Sequence, residues 1–330
     1  MVVKGMFDAS LSMGYEPVLA IRGLFISLSL AVLTVNIVPA FRNRFLEYGS
    51  RASIPDSKEA YSKHEDCGKS LRDPSSRLPN NVFLQVLDTV AALRVPHSWF
   101  MSFYVVSVSA SLFWASQIVV HGPFFTFFSL ATRKTPPAST TVHQVVLTWS
   151  LMLLQGCRRL YECLTLSKPS TSKMWIGHWI LGILFYLAMN VAVWVEGASA
   201  FQTEHLSFRH LTITAPSLRT SVCLPLFLVA SGIQHDVHAY LASLKTYSLP
   251  NHPTFHTVVC PHYLAECIIY LSFVLIAAPN GHFVNWTIAT GLAFVTVNLG
   301  ITASGTKLWY AEKFGEQSVR GRWKMVPWIY

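Results

Sequence analysis

The chain has 330 residues, of which 52% are apolar and only 12% charged, with a mean hydropathy of +0.40. A soluble domain carries about twice that charged fraction, so the composition excludes an ordinary soluble globule and describes an all-α integral membrane protein. The net charge of +9 falls in the stretches between apolar runs, which points away from nucleic acid and towards a membrane with one basic side.

Seven spans are expected, near residues 17–39, 99–120, 142–161, 176–195, 221–244, 263–279 and 283–304. The first lies in an apolar run from Pro17 to Ala40, preceded by Lys4, that is too long for a signal-peptide core and lacks a convincing cleavage site. It reads as a retained anchor. A polar segment follows, from about Phe41 to Pro96, rich in Ser, Pro and charge. It is expected to be a partly ordered surface loop with a short interfacial helix around Asn81–Leu93, and to carry no chemistry. Residues 1–97 are thus anchor plus polar cytosolic loop, and residues 98–330 the membrane-embedded unit, with the more distinctive region from about 150 onwards.

Lys and Arg are distributed unevenly over a seven-span model. The first, third and fifth loops and the C-terminal tail hold 19 of them, the other side 5, and Arg22 lies within the first span. The positive-inside rule then places the C-terminus in the cytosol. Arg158, Arg159, Lys168, Lys173, Lys245 and the basic tail share that side, where they could converge on one anionic ligand such as a phosphate-bearing cofactor.

The third span ends LLQGCRRLYECL. Arg158 and Arg159 precede Glu162 by four and three residues, so an intrahelical ion pair or snorkelling to the interface explains them as well as function does. His178 and Glu196, at the two ends of the fourth span, read most simply as interfacial residues. Further on, SGIQHDVHAYLASLK and CPHYLAECIIY crowd polar side chains into apolar helices. Gln234, His238 and Lys245 fall near one helical face, and Tyr263, Glu266 and Tyr270 near another. These faces either sit in the headgroup zone or form a polar pocket for a charged ligand, because unpaired polar groups are costly in hydrocarbon.

Other chemistries find little support. His235, His238, His252, His256 and His262 cluster in sequence, but the paired histidines of membrane di-iron sites are missing, so no metal is expected. The six cysteines show no CxxC spacing and read as small buried hydrophobes. Neither GxGxxG after a strand nor GxxxxGK[ST] occurs, so a dinucleotide would have to be held by side chains of the bundle.

LQGCRRLYECL, SKMWIGHW, the Gln234–His238–Lys245 pattern, CPHYLAE and the tail WYAEKFGEQSVRGRWKMVPWIY together resemble the steroid 5α-reductase family, and within it the polyprenol reductase branch. The resemblance covers about residues 98–330. It implies a seven-helix enzyme of the endoplasmic reticulum membrane that uses NADPH to saturate the α-isoprene unit of a polyprenyl lipid on the way to dolichol, and so serves protein N-glycosylation. It implies no obligate protein partner besides membrane lipids. Arg159 matches a family arginine near cofactor and substrate. Gln234, His238 and Lys245 match polar cofactor contacts, and Lys168 lies on the same basic side. His262, Glu266 and Tyr270 match Asn, Glu and Trp positions of the pocket, and Tyr310 with Arg320 or Arg322 the contacts of the tail. The chain departs from the family at Thr306 and Lys307, where a histidine is usual, and at Gly156, where relatives carry a steroid-binding tyrosine. The second-span glutamate also lacks a counterpart, with His97, Trp99 and Tyr104 as candidates.

Hydride adds readily to an alkene conjugated with a carbonyl, whereas an allylic alcohol offers no sink for the developing charge. The species reduced is therefore expected to be the aldehyde, polyprenal, with Tyr310, His262 or Tyr104 as the proton donor. The rivals are reduction of steroids, an isoprenylcysteine-type methyltransferase using S-adenosylmethionine, and a non-catalytic lipid-binding or scaffold protein.

Overall fold

The computed structural model describes residues 16–46, 82–132, 140–168, 171–203, 216–246 and 248–330. Most of the expected polar loop, with Cys67, and the residues before Glu16 lie outside the described residues. Helices stand at all seven expected spans: α1 (Pro17–Ile37), α4 (Met101–Val119), α6 (Val142–Thr165), α7 (Ile176–Val195), α8 (Leu218–Ser243), α9 (Pro261–Ile276) and α10 (Trp286–Phe314). Between them lie α2 (Pro39–Phe45), α3 (Val82–Ala92), close to the expected interfacial helix, and α5 (Pro123–Ala131). Three-residue strands β1 (Arg94–Pro96) and β2 (Lys173–Trp175) pair antiparallel with Val95 opposite Met174.

Local sequence sets the helix boundaries. Pro17, Pro39, Pro123 and Pro261 each open a helix, where their missing N–H costs nothing. Pro39 also holds Val38 extended (φ −80°, ψ 112°), which ends α1 and turns the chain into α2. Thr141 and Gln144 form a reciprocal capping box on α6, while Ser217 and Asn285 cap α8 and α10. α10 stops at Gly315, whose φ of 87° a side chain would resist.

Four helical stretches among the described residues are long and apolar enough to cross a membrane: Pro17–Ile37, His97–Val119, Ile176–Val195 and Trp286–Phe314. α6 and α8 have the length, at 24 and 26 residues, but carry polar stripes. α9 has 16 residues, or about 24 Å, and falls short of a core about 30 Å thick. Successive long helices alternate in direction. The start of α4, the end of α6, the end of α8 and the start of α9 therefore meet at one end of the bundle, the end that carries the tail. Leu19, Leu30, Leu112, Leu187, Leu228 and Val229 are exposed on the outer faces, as a lipid-facing surface requires.

Phe25, Phe185, Met189, Tyr270, Phe273 and Phe227 form the middle of the core. Gly291 lets α10 lie against α1 and α7, since a Cβ there would stand 2.3 Å from Met189 Cε and 3.3 Å from the Phe25 ring. At the end away from the tail, Glu196 is no mere interfacial residue. It accepts from Arg22 Nη2 at 2.9 Å, from the Thr287 backbone N–H at 3.1 Å and from the Thr287 hydroxyl, and so joins α1, α7 and α10. Arg22 satisfies its Nε on Thr287 Oγ1, which explains a guanidinium inside the first span. Replacing Glu196 by Ala should lower stability by about 1–3 kcal/mol through the orphaned donors, read as a reduced Tm in detergent. The site at the opposite end should be unaffected.

Candidate functional site

The site is built on the last three turns of α6. Gln155, Arg158, Arg159 and Glu162 fall at i, i+3, i+4 and i+7 and form one polar stripe. Glu162 is only 3% exposed and takes four partners. Arg158 Nη1 and Arg159 Nη1 donate to its two oxygens, and Nδ1 of His235 and of His238 each lies 2.8 Å from one of them. The intrahelical ion pair that the spacing suggests is thus present, but it is one part of a junction between α6 and α8.

A second layer runs from α6 to α9. Arg158 Nη2 donates to Gln155 Oε1 at 3.0 Å and also to Gln234 Oε1. Gln155 Nε2 donates to Gln234 Oε1 at 3.0 Å and to Glu266 Oε2 at 3.3 Å. Gln234 Nε2 donates to Glu266 Oε2 and, at 3.3 Å, to the His262 carbonyl. A third connection reaches α4, where Arg159 Nε and Nη2 both donate to Tyr104 Oη, at 3.1 and 2.8 Å. Buried side-chain amides and charges are tolerated here because nearly all are paired.

These side chains wall a cavity of about 180 Å³. Tyr104, Arg159, Gln234, His238, His262 and Glu266, all singled out by the sequence, line it together. Phe100, Phe103, Phe185 and Phe294 give it an aromatic side, and Asn298 and Thr302 of α10 add polar groups. Gly182 also lines it, and a Cβ there would stand 2.7 Å from the Phe103 ring.

The remaining expected residues are elsewhere. Lys245 lies beyond the last turn of α8, which ends at Ser243, so it shares no helical face with Gln234 and His238. Lys168 donates to the Leu244 carbonyl at 2.6 Å and ties the ends of α6 and α8 together. Tyr270 is buried against Phe185 and Phe273, one layer beneath the cavity. Tyr310 packs with Val259, Cys260, Ala303 and Met325 under the tail. Arg322 donates to the Pro250 carbonyl at 3.4 Å, and Arg320 lines a separate open recess with Arg42, Lys307 and Lys324. The tail itself folds back over the start of α9 through Val259 N–H to the Trp323 carbonyl (2.8 Å) and Cys260 N–H to the Lys324 carbonyl (3.1 Å).

Of the clustered histidines, His252 packs at a tilt against the Tyr240 ring and pairs with Asp236 at 3.1 Å, while His256 reaches Asn251. Among the described residues no group of three His, Cys, Asp or Glu side chains is placed to hold a metal. Cys223 and Cys260 are buried, Cys163 and Cys267 partly so, and Cys157 is exposed. The sequence does not single out Gln155, Tyr186, Asn298 or Thr302, and it gives Glu162 and His178 only local readings, as an ion-pair partner and an interfacial residue. Two of the signals were available, namely the four-residue stripe on α6 and the i, i+4 pair of Asn298 and Thr302 in an apolar helix.

This is a membrane-embedded helical bundle with a half-polar, half-aromatic cavity at the end of the bundle that carries the basic tail. Residues 172–330 match the family model described as 3-oxo-5-alpha-steroid 4-dehydrogenase. The polyprenal reductase of Saccharomyces cerevisiae is 28% identical over 251 residues, covering 76% of this chain and 81% of that protein. That of Caenorhabditis elegans is 26% identical, covering 73% and 81%, and polyprenal reductase 2 of Oryza sativa subsp. japonica is 28% identical, covering 72% and 80%. The C-terminal part of the chain is thus similar to the 3-oxo-5-alpha-steroid 4-dehydrogenase family, and about three quarters of the chain to polyprenal reductases.

Replacing Glu162 by Ala strands two guanidinium groups in a low-dielectric site and should cost about 3–5 kcal/mol. The Tm in detergent should therefore fall further than for Glu196→Ala.

Proposed function

We propose that this protein reduces the α-isoprene double bond of polyprenal, using NADPH, in the synthesis of dolichol in the endoplasmic reticulum membrane. Dolichol carries the glycan for protein N-glycosylation, so the activity would support that process. The observation that carries the reading is the two-sided cavity. An aromatic wall of Phe100, Phe103, Phe185 and Phe294 suits an isoprene unit, and a facing wall of Arg159, Gln234, His238 and Glu266 suits the polar head of a cofactor.

A dinucleotide fits these residues only in part. At about 180 Å³ the cavity does not take a whole dinucleotide. His262 Nδ1 is buried with no hydrogen-bond partner among the described residues, which leaves polar capacity at the cavity wall. Glu266 and Asn298 would hold the carboxamide and ribose of a nicotinamide, with Gln155 and Gln234 fixing Glu266. Lys168, Lys245, Arg320 and Arg322, at the tail end of the bundle, would meet the phosphates outside the cavity. Tyr310 and Tyr270 would act from behind, supporting the tail and the cavity floor. The bound cofactor supplies a hydride to the β-carbon of the enal. The chain's own residues exclude water from the aromatic side, orient the conjugated system and place donors at the carbonyl oxygen. The basic side faces the cytosol, so cofactor would enter from there and the prenyl chain from the bilayer.

The test gives purified protein NADPH with polyprenal or polyprenol separately and analyses the product by mass spectrometry. Polyprenal should gain two hydrogens and polyprenol should not react. Equal turnover of the alcohol without aldehyde formation would overturn the choice of substrate, and methyl transfer from S-adenosylmethionine would overturn the class of reaction. Glu266→Ala should raise KM for NADPH about tenfold or more while the lipid KM stays within about twofold, and a change confined to the lipid KM would remove Glu266 from the cofactor's contacts.

A further inference from the structure

The reduction needs a hydrogen-bond donor at the carbonyl oxygen and a proton for the α-carbon, and the sequence offers Tyr310, His262 and Tyr104 as donors without assigning them. Resting on the proposed reaction, we propose that Tyr104 is the group that binds and polarises the carbonyl oxygen of the enal, and that Arg159 is the residue that positions it. Tyr310 packs beneath the tail and is not part of the cavity wall. His262 also lines the cavity, but no hydrogen bond among the described residues fixes its ring nitrogens or strengthens them as donors. Tyr104 lines the cavity with a hydroxyl of a particular kind.

Its oxygen accepts two N–H bonds from one guanidinium, Nε at 3.1 Å and Nη2 at 2.8 Å. A phenol has one hydrogen and two lone pairs, so both acceptor positions are spent on Arg159 and the hydroxyl hydrogen remains to be donated. Arg159 is the only partner of this hydroxyl among the described residues. Each N–H that the oxygen accepts draws electron density from the O–H bond and strengthens it as a donor. Arg159 cannot turn away, because its Nη1 is held by Glu162. The ring cannot turn either, being gripped edge-on by Phe100 at 5.7 Å and Tyr186 at 5.6 Å.

The backbone explains how a hydroxyl on α4 reaches a guanidinium on α6. Gly156 lies one turn before Arg159, and a Cβ there would stand 3.1 Å from Ser107 Oγ and 3.3 Å from Val108 Cγ2. The two helices therefore touch backbone to side chain at Gly156. This close approach brings Tyr104, one turn before Ser107, level with Arg159.

In the reaction, a hydride forms the new C–H bond at the β-carbon and the π pair of the double bond shifts through the α-carbon towards oxygen. The enolate oxygen takes the hydrogen bond from Tyr104. A proton from water then bonds to the α-carbon, the C=O bond is restored, and the oxidised nicotinamide leaves. The double bond is reduced and the aldehyde is retained.

Tyr104→Phe keeps the ring and its packing and removes only the hydroxyl. With polyprenal and NADPH, its kcat should fall about 100-fold or more, with KM for NADPH within about twofold of wild type. A second readout needs no turnover: the infrared carbonyl stretch of 13C-labelled enal bound to protein alone should shift to lower wavenumber with wild type and not with Tyr104→Phe. Should Tyr104→Phe fail to purify as a folded protein, Arg159→Lys, which keeps the charge but loses the two-pronged donation, should show a reduced carbonyl shift. A kcat within about threefold of wild type, or an equal carbonyl shift in the variant, would overturn the role of Tyr104. Inactive wild type would instead count against the proposed reaction, while the carbonyl shift would still decide on the hydroxyl.

Discussion

A carboxylate with only 3% of its surface exposed, near the end of a membrane helix, must be paired or the bundle does not form. Glu162 meets that constraint by collecting Arg158, Arg159, His235 and His238, and in doing so it sets the relative height of α6 and α8. The guanidinium of Arg159 then reaches across to Tyr104 on α4, and Arg158 with Gln155 carries the connection through Gln234 to Glu266 on α9. Four helices are thereby held at one level by a single connected set of hydrogen bonds. Such a set is held firmly because most of its members are buried and paired with one another, His235 being the more exposed one.

The opposite end is organised by the same physics with different residues. Glu196, Arg22 and Thr287 bind α7, α1 and α10, and the aromatic core of Phe25, Phe185, Phe273 and Phe294 fills the space between the two polar junctions. The cavity opens where the aromatic core gives way to the Glu162 junction, and its two unlike walls follow from that position. The β1–β2 pair levels the starts of α4 and α7, which brings the Phe103 and Tyr186 rings to 6.4 Å. The tail folds over the start of α9 on the basic side, outside the cavity lining.

Much of this was legible in the sequence, and the parts that were not share a cause. Spans and helix boundaries follow from apolar length, proline and capping residues, all of which act locally. Gln234, His238 and Glu266 stood out because polar groups on apolar helices have no local excuse. Glu162 reads only as an ion-pair partner because it has one, since a pair of arginines three and four residues away already accounts for a carboxylate. Glu196 was similarly taken as a helix-end residue, and its partners on α1 and α10 are 174 and 91 residues away in sequence. Lys245 was grouped with Gln234 by a period that the helix does not sustain past Ser243. Periodicity gives the face of a residue on its own helix, whereas contacts between helices depend on relative heights, which shared junctions such as Glu162 and close approaches such as Gly156 to Ser107 set.

On the proposed reading the cavity carries out conjugate reduction, with hydride arriving at the β-carbon of an enal whose oxygen is held at the polar wall. The most direct measurement gives the purified protein polyprenal with NADPH deuterated on the transferred face of C4, in ordinary water, and locates the label by NMR. One deuterium at the carbon that carries the α-isoprene methyl group, with the aldehyde C–H unlabelled, is the result this account predicts. Deuterium on the carbonyl carbon, giving a labelled alcohol with its double bond intact, would contradict it.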